Sequence, residues 1–353
     1  NLGVMLFGDD GIALETDNYN IWVHNNDIFY GTAGSDADQA KGDGSMDLKN
    51  DSKYITISAN HFWDSGKMSL CGMKSETGEN FITYHHNWFD HSDSRHPRVR
   101  TMTVHVYNNY FDGNAKYGVG AAKSSNVFVE NNYFRNCKYP MLISKQGTDV
   151  NNGTGTSDQT KGTFSGEDGG MIKAYGNYMT GEKRFQAYKA GDPTNSIHFD
   201  AFVATSRDEK VPSTIAALQG GRKYDNFDTN EELMYKGYTC HAASEVKNVV
   251  TGELGAGRCQ HGDFSWTFGT NEDTNDQVIA ALSEAINNYK SKLVGFFGQE
   301  INNGGATTDQ GGSSDQGGES GDDTGAGDDG GDDNNTGDYS GLNIVYFTYD
   351  GKT

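Results

Sequence analysis

Short runs of alternating apolar and polar residues recur along the chain, and each is closed by an asparagine. Tyr54-Ile55-Thr56-Ile57-Ser58, Phe81-Ile82-Thr83-Tyr84, Val104-His105-Val106-Tyr107 and Val127-Phe128-Val129 read as short strands ending in turns. After them come Asn60-His61-Phe62, Asn87-Trp88-Phe89, Asn109-Tyr110-Phe111, Asn132-Tyr133-Phe134 and Asn177-Tyr178-Met179, with a weaker copy at Asn26-Asp27-Ile28-Phe29. Counted from Asn26, the spacings are 34, 27, 22, 23 and 45 residues. The last is either two periods or one period with an insertion, for which Gly147–Gly170, rich in Gly, Thr, Ser and Asp, is the candidate. Short strands repeated at such periods signal a solenoid. No helical pattern separates them, which disfavours a doubly wound α/β sheet. The expected fold is all-β: a right-handed, single-stranded parallel β-helix with coils of about 22 residues and long loops. In such a fold the repeated asparagines stack as a hydrogen-bonded ladder at one bend, a structural role with no chemistry attached.

One helix breaks the pattern. With Thr274 or Asn275 as N-cap, Val278, Leu282, Ile286, Tyr289 and Leu293 fall on one face, so a helix packed outside the solenoid is expected. Beyond it, residues 301–340 hold ten acidic side chains, twelve Gly and no Lys or Arg. So polar a stretch buries too little apolar surface to offset the entropy of ordering. It lacks the regular apolar position that a calcium-binding nonapeptide repeat requires. The expected organisation is therefore a β-helix domain over 1–299, an acidic disordered linker over 300–340, and the start of a truncated β module over 341–353. The chain opens on Asn1 without an initiator Met or signal-peptide pattern, so it reads as a fragment lacking its first coils.

Composition narrows the classes of function. A formal charge of −21 argues against a nucleic-acid partner, and about −11 remains outside the acidic stretch. No run of 18 apolar residues exists, so no membrane-spanning helix is expected. Four cysteines suit an exported protein but define no disulfide framework; Cys240 with Cys259 as a loop bridge and buried free thiols both stand as readings.

Two clusters could carry chemistry. In Asp43-Gly44-Ser45-Met46-Asp47, a strand starting near Asp47 would bring both carboxylates to one side of a coil, with Asp10 of Asp9-Asp10-Gly11 stacked beside them. Such oxygen donors suit a hard cation like Ca²⁺. Alone, Asp-Gly is also simply a turn. The second is Arg95-His96-Pro97-Arg98-Val99-Arg100, where Pro97 marks a strand entry. Three guanidiniums in six residues are equally compatible with salt bridges across coils. Lys67 alone reads as a solvated charge, and His61, His85, His86 and His105 as packed, hydrogen-bonded side chains.

Taken in order, these motifs resemble the family 1 pectate lyases. The resemblance runs through Asp43-Gly-x-x-Asp47-Leu-Lys, Tyr54-Ile-Thr-Ile-Ser, Lys67-x-x-Leu-x-Gly72, Thr83-Tyr-His-His-Asn-Trp-Phe, Arg95-x-Pro-Arg-Val-Arg100 and Val104-His-Val-Tyr-Asn-Asn109-Tyr, over residues 8–140. Leu254-Gly-Ala-Gly-Arg258 and Gly262-Asp-Phe-Ser-Trp-Thr-Phe268 resemble the tail of bacterial members. The family's Trp-Ile-Asp-His is Trp22-Val23-His24-Asn25 here, and the glycine usual near Met102 is absent.

What the resemblance implies is specific. Asp10, Asp43 and Asp47 fall where the family holds Ca²⁺, Arg95 on its catalytic base, and Lys67 and Arg100 on the residues that hold substrate carboxylates. Arg98 inherits no role, and bracing the calcium carboxylates is the expectation for it. The implied reaction is β-elimination of polygalacturonate (pectate, homogalacturonan) to 4,5-unsaturated products, by an enzyme expected to be monomeric and secreted, periplasmic or cell-surface. Pectin lyase lacks the metal carboxylates, polygalacturonase needs acid and base carboxylates around a water, and a non-catalytic glycan-binding β-helix has no need of the three cations.

Overall fold

The computed structural model describes residues 2–29, 40–73, 76–150, 162, 164–192, 198–230, 232, 237–253, 255–256, 264–290, 293–294, 300–301 and 343–346. Three parallel sheets run along one axis, and the chain visits them in rotation, as a parallel β-helix does. The first contains Leu2–Met5, Asp27–Ile28, His61–Trp63, Trp88–Asp90, Tyr110–Asp112, Tyr133–Arg135 and Tyr178–Thr180. The second contains Ile12–Leu14, Met46–Leu48, Leu70–Cys71, Arg98–Arg100, Val119–Ala122 and Met141–Ile143. The third contains Trp22–His24, Thr56–Ser58, Ile82–His85, Thr103–Tyr107, Asn126–Glu130, Met171–Tyr175 and Phe202–Val203.

The asparagines stand where the third sheet turns into the first. Each side-chain Nδ2 donates to the Oδ1 of the next asparagine: Asn26 to Asn60 at 3.0 Å, Asn60 to Asn87 at 3.2 Å, Asn87 to Asn109 at 2.9 Å, Asn109 to Asn132 at 3.0 Å and Asn132 to Asn177 at 3.0 Å. The same Oδ1 also accepts the backbone N–H of the preceding asparagine, so the turn's polar groups are satisfied without water. Since Asn132 stacks directly on Asn177, their 45-residue separation is one coil with an insertion. Of that insertion, residues 151–161 and 163 lie outside the described residues.

Side-chain alternation explains the positions after each asparagine. The second, Phe62, Phe89, Phe111 and Phe134, points inward, and successive rings lie in contact at centroid distances of 5.5, 4.9 and 4.2 Å, the first and last pairs stacked and the middle one tilted. The first points outward, and on Trp88, Tyr110 and Tyr133 it is covered by the helix Ala243–Val250, whose Val246 and Val250 are fully buried. That helix is absent from the sequence-based expectations.

The anticipated outer helix is present but shorter, Ala280–Asn288, with Ile279 as N-cap. Thr274 is not its cap: its φ is 59° and its N–H donates to the Gly113 carbonyl at 2.8 Å. Val278 is 41% exposed, while Leu293 belongs to a strand, Leu293–Val294, paired antiparallel with Glu300–Ile301. Leu282 and Ile286 pack outside the solenoid against Met5, Phe29 and Trp63, each burial contributing about 1.5–3 kcal/mol.

Cys71, Cys137 and Cys240 are free thiols, while Cys259, the suggested partner of Cys240, lies outside the described residues. So do residues 302–340 of the expected linker, whose first residues Glu300–Ile301 are instead a strand; of the module expected over 341–353, Asn343–Tyr346 is a strand paired antiparallel with Leu2–Met5. Among the described residues no helix is long and apolar enough to cross a membrane.

Candidate active site

The candidate groups lie along the outer surface of the second sheet. Asp47 lies on the strand Met46–Leu48, and Arg98 and Arg100 lie on Arg98–Arg100 two coils along. Just before those strands, Gly44, Lys67 and Ser94 pair in succession as parallel bridges, which stacks Asp43, Lys67 and Arg95 in neighbouring coils. Pro97 does mark a strand entry, since the strand begins at Arg98.

Three carboxylates converge, with Asp9 in the group beside the expected Asp10 and Asp43. One ligand oxygen each from Asp9, Asp10 and Asp43 lies within 4.8 Å of the others. Asp47 joins them across Gly44: a Cβ on that glycine would fall 2.4 Å from Asp47 Oδ1 and 2.6 Å from Asp10 Oδ1. The glycine thus leaves open the space that the two carboxylates face. Asp47 is almost fully buried and accepts the Leu70 N–H at 2.8 Å. Burial first, and then the charge of Asp10, push its carboxyl up to about 7, against the opposing pull of that N–H, Arg95 and Lys49.

Cations interleave with these acids. Lys67 Nζ sits 3.2 Å from Asp43 Oδ1, and its side chain is buried rather than solvated. Lys49, which closes the Asp43-Gly-x-x-Asp47-Leu-Lys motif but was given no role there, pairs with Asp10 and reaches Glu15 at 3.1 Å and Asp47 at 3.9 Å. These acids hold its ammonium well above the ordinary lysine range despite partial burial. Arg95 is half-buried in the left-handed region, φ 66°, and its carbonyl accepts the Ser69 N–H at 2.8 Å.

Arg98 departs from expectation. It does not brace the carboxylate cluster; its Nη2 donates to Ser165 Oγ at 3.0 Å and Glu167 Oε2 at 3.4 Å. Burial, followed by the repulsion of Arg100 and Arg95, lowers its guanidinium below the usual range. Arg100 Nε donates to the same Glu167 Oε2 at 2.6 Å. Glu167 was missed because its segment arrives through the insertion, 67 residues after Arg100. Only an unpaired cluster of guanidiniums hinted at a partner.

A second acidic group is accounted for by its own counterions. Asp90, His91 and Asp112 also bring ligand atoms within 4.8 Å. There, His61 Nε2 lies 2.9 Å from Asp90 and Arg135 pairs with Asp112, so the cluster is an ion-pair network. His61, His85, His86 and His105 are packed against aromatic rings or one another, as the sequence suggested.

Comparison with known proteins covers the strands that bear these groups, with residues 7–175 matching the family described as pectate lyase. This segment, a little under half of the chain, is similar to the pectate lyase family. The pectate trisaccharide-lyase of Bacillus licheniformis is 37% identical over 134 residues, 38% of this chain and 38% of that protein. Pectate lyase 3 of Pectobacterium carotovorum is 32% identical over 143 residues, 39% of this chain and 38% of its own length. The matched region thus spans well under half of these curated relatives. The solved structure of pectate lyase II from Xanthomonas campestris pv. campestris superposes with a TM-score of 0.47 and 28% identity, covering 70% of this chain and 64% of that one. Asp10, Asp43, Asp47, Lys67, Arg95 and Arg100 all lie inside the segment matched to the pectate lyase family.

Proposed function

We propose that this chain carries the catalytic region of a calcium-dependent pectate lyase that cleaves α-1,4-polygalacturonate by β-elimination. The observation that carries the reading is the juxtaposition along one sheet of a part-exposed carboxylate cluster, the buried Asp47 beside it and a row of cations, within a segment similar to the pectate lyase family. The donor set fits Ca²⁺: all its atoms are carboxylate oxygens, and Gly44 keeps the space between Asp10 and Asp47 open. Asp10, Asp43 and Asp47 would hold the ion. When bound, it supplies positive charge against the negative charge that develops on a substrate carboxylate.

The chain's own groups divide the remaining work. Lys67 and Arg100 bind uronate carboxylates through charge-assisted hydrogen bonds, and the planar fork of Arg100 suits a two-oxygen partner. Arg95 takes the proton from C5 as the C4–oxygen bond breaks; the C5–H pair becomes the 4,5 double bond, the departing oxygen keeps the C4–O pair and takes up a proton from solvent to become a hydroxyl, and no water is consumed. A guanidine accepts a proton only in its neutral form, so turnover rises toward alkaline pH. The overall acidity opposes an acidic polymer, and the local cations offset this only at the cleft. Export follows from a substrate too large to cross a membrane, and one copy of the chain suffices for the site.

The test is ultraviolet absorbance of unsaturated product from polygalacturonate, with added Ca²⁺ and then with chelator. Absorbance that appears with calcium and disappears with chelator supports the lyase. New reducing ends without absorbance indicate hydrolysis, and undiminished turnover after exhaustive chelation removes the metal from the reading.

A further inference from the structure

One carboxylate serves two guanidiniums on the second sheet. Glu167 Oε2 accepts from Arg100 Nε at 2.6 Å and from Arg98 Nη2 at 3.4 Å, while Ser165 Oγ accepts from Arg98 at 3.0 Å and from the Glu167 N–H at 3.2 Å. The three charged side chains are 12–18% exposed, so solvent screens them only partly. Two like charges this close repel, and Glu167 is the group that holds them together.

Glu167 is a built fixture. Its carbonyl accepts Ser144 Oγ at 2.6 Å, and the Phe164 N–H donates to Asp149 Oδ1 at 2.9 Å on one side of it. On the other side Gly169 bridges to Ala122, and the Lys123 N–H donates to the Asp168 carbonyl at 2.6 Å. Glu167 thus approaches Arg100 from the Nε edge. No hydrogen bond from the terminal Nη atoms of Arg100 is found among the described residues.

We propose that Glu167 is a positioning residue of the substrate-carboxylate clamp: it holds Arg100 by Nε and Arg98 by Nη2, leaving the terminal fork of Arg100 to a uronate carboxylate. This rests on the pectate lyase reading for the identity of the carboxylate. An arginine side chain loses rotamer entropy when fixed, and Glu167 imposes that loss before substrate arrives. Such pre-organisation acts on binding, and leaves proton transfer at Arg95 to its own geometry.

The experiment compares Glu167→Ala and Glu167→Gln with the unsubstituted chain, by kinetics on polygalacturonate and by calorimetric binding of trigalacturonate. The expected result is about a tenfold rise in KM and in the trigalacturonate Kd for Glu167→Ala, with kcat within about threefold. Glu167→Gln keeps an oxygen acceptor and recovers part of the loss. A KM that falls on substitution overturns the proposal, because Glu167 would then compete with substrate. An unchanged KM also overturns it, whether or not the melting temperature drops. Calorimetry separates the two readings: an unsubstituted chain that binds trigalacturonate but releases no unsaturated product refutes the lyase and still tests the clamp. A chain that binds none overturns both.

Discussion

Arg135 and Asp273, 138 positions apart, meet in a two-pronged contact, Nη1 to Oδ2 at 2.9 Å and Nη2 to Oδ1 at 2.6 Å. Asp273 also accepts Asn136 Nδ2 at 2.7 Å and faces His91 Nε2 at 3.0 Å, so one carboxylate fastens the outer C-terminal segment to the first sheet. Asp273→Ala leaves Arg135 and His91 with too little counter-charge. A loss of about 2–4 kcal/mol in urea unfolding is expected, with faster proteolysis within residues 264–290. A loss below about 0.5 kcal/mol would mean that the apolar contacts of Leu282 and Ile286 hold the segment alone.

The same clasp sets a pH window. Burial alone would push the His91 imidazolium down, but Asp273 and Asp90 outweigh it and raise it to about 9. Its contribution is therefore complete below about pH 6.5 and lost as pH rises through 9, on the order of 3 kcal/mol. Asp273 behaves oppositely: despite burial, His91, Arg135 and Asn136 hold it below the usual carboxylate range, so its share is lost only under acid. Unfolding free energy measured between pH 6.5 and 10 should fall, and His91→Gln should flatten that slope. Parallel slopes for the two proteins would contradict the assignment.

Asn87 tests the ladder. Asn87→Ala removes the Oδ1 that accepts from Asn60 and the donor to Asn109 and to the Ile57 carbonyl at 2.8 Å, all inside the fold. A cost of about 3–5 kcal/mol is expected from the stranded polar groups, read by denaturant titration. Less than about 1 kcal/mol would show that water or a shifted backbone replaces them.

Gly44 tests the carboxylate cradle. A methyl group there meets Asp47 Oδ1 and Asp10 Oδ1 at 2.4 and 2.6 Å. Calcium affinity measured by calorimetry should fall at least about tenfold in Gly44→Ala, with the circular dichroism spectrum unchanged. Equal affinity would move the ion elsewhere.

Arg95 tests the chemistry. Arg95→Ala should lower kcat by about 10²–10⁴, the contribution of a positioned general base, and leave trigalacturonate binding within about threefold. Comparable losses in both would make Arg95 a binding residue.

The sequence was most readable where one residue type repeats for one reason. Asparagine alone offers a donor and an acceptor at the length this bend needs, so Asn60, Asn87, Asn109 and Asn132 stand out at near-regular intervals. Strands of the second sheet have two to four residues, too few to show a period, and only the Asp43–Asp47 and Arg95–Arg100 motifs placed them. The outer helix was overextended because Val278 and Leu293 continue its spacing, although the chain there turns or pairs as strand. Lys49 and Glu167 stayed hidden for a different reason. Each takes its role from a partner at least 39 residues away, and nothing in local pattern records such a meeting.

The uneven coils have a last consequence. Separations of 34, 27, 22, 23 and 45 residues all deliver an asparagine to the same column at nearly the same hydrogen-bond length. Position along this molecule is therefore metered in rungs, and residue count between rungs is free to drift. The loops between rungs, including the insertion that brings Glu167 to Arg100, can be lengthened or rewritten while the spine that spaces Asp47, Arg95 and Arg100 keeps its pitch.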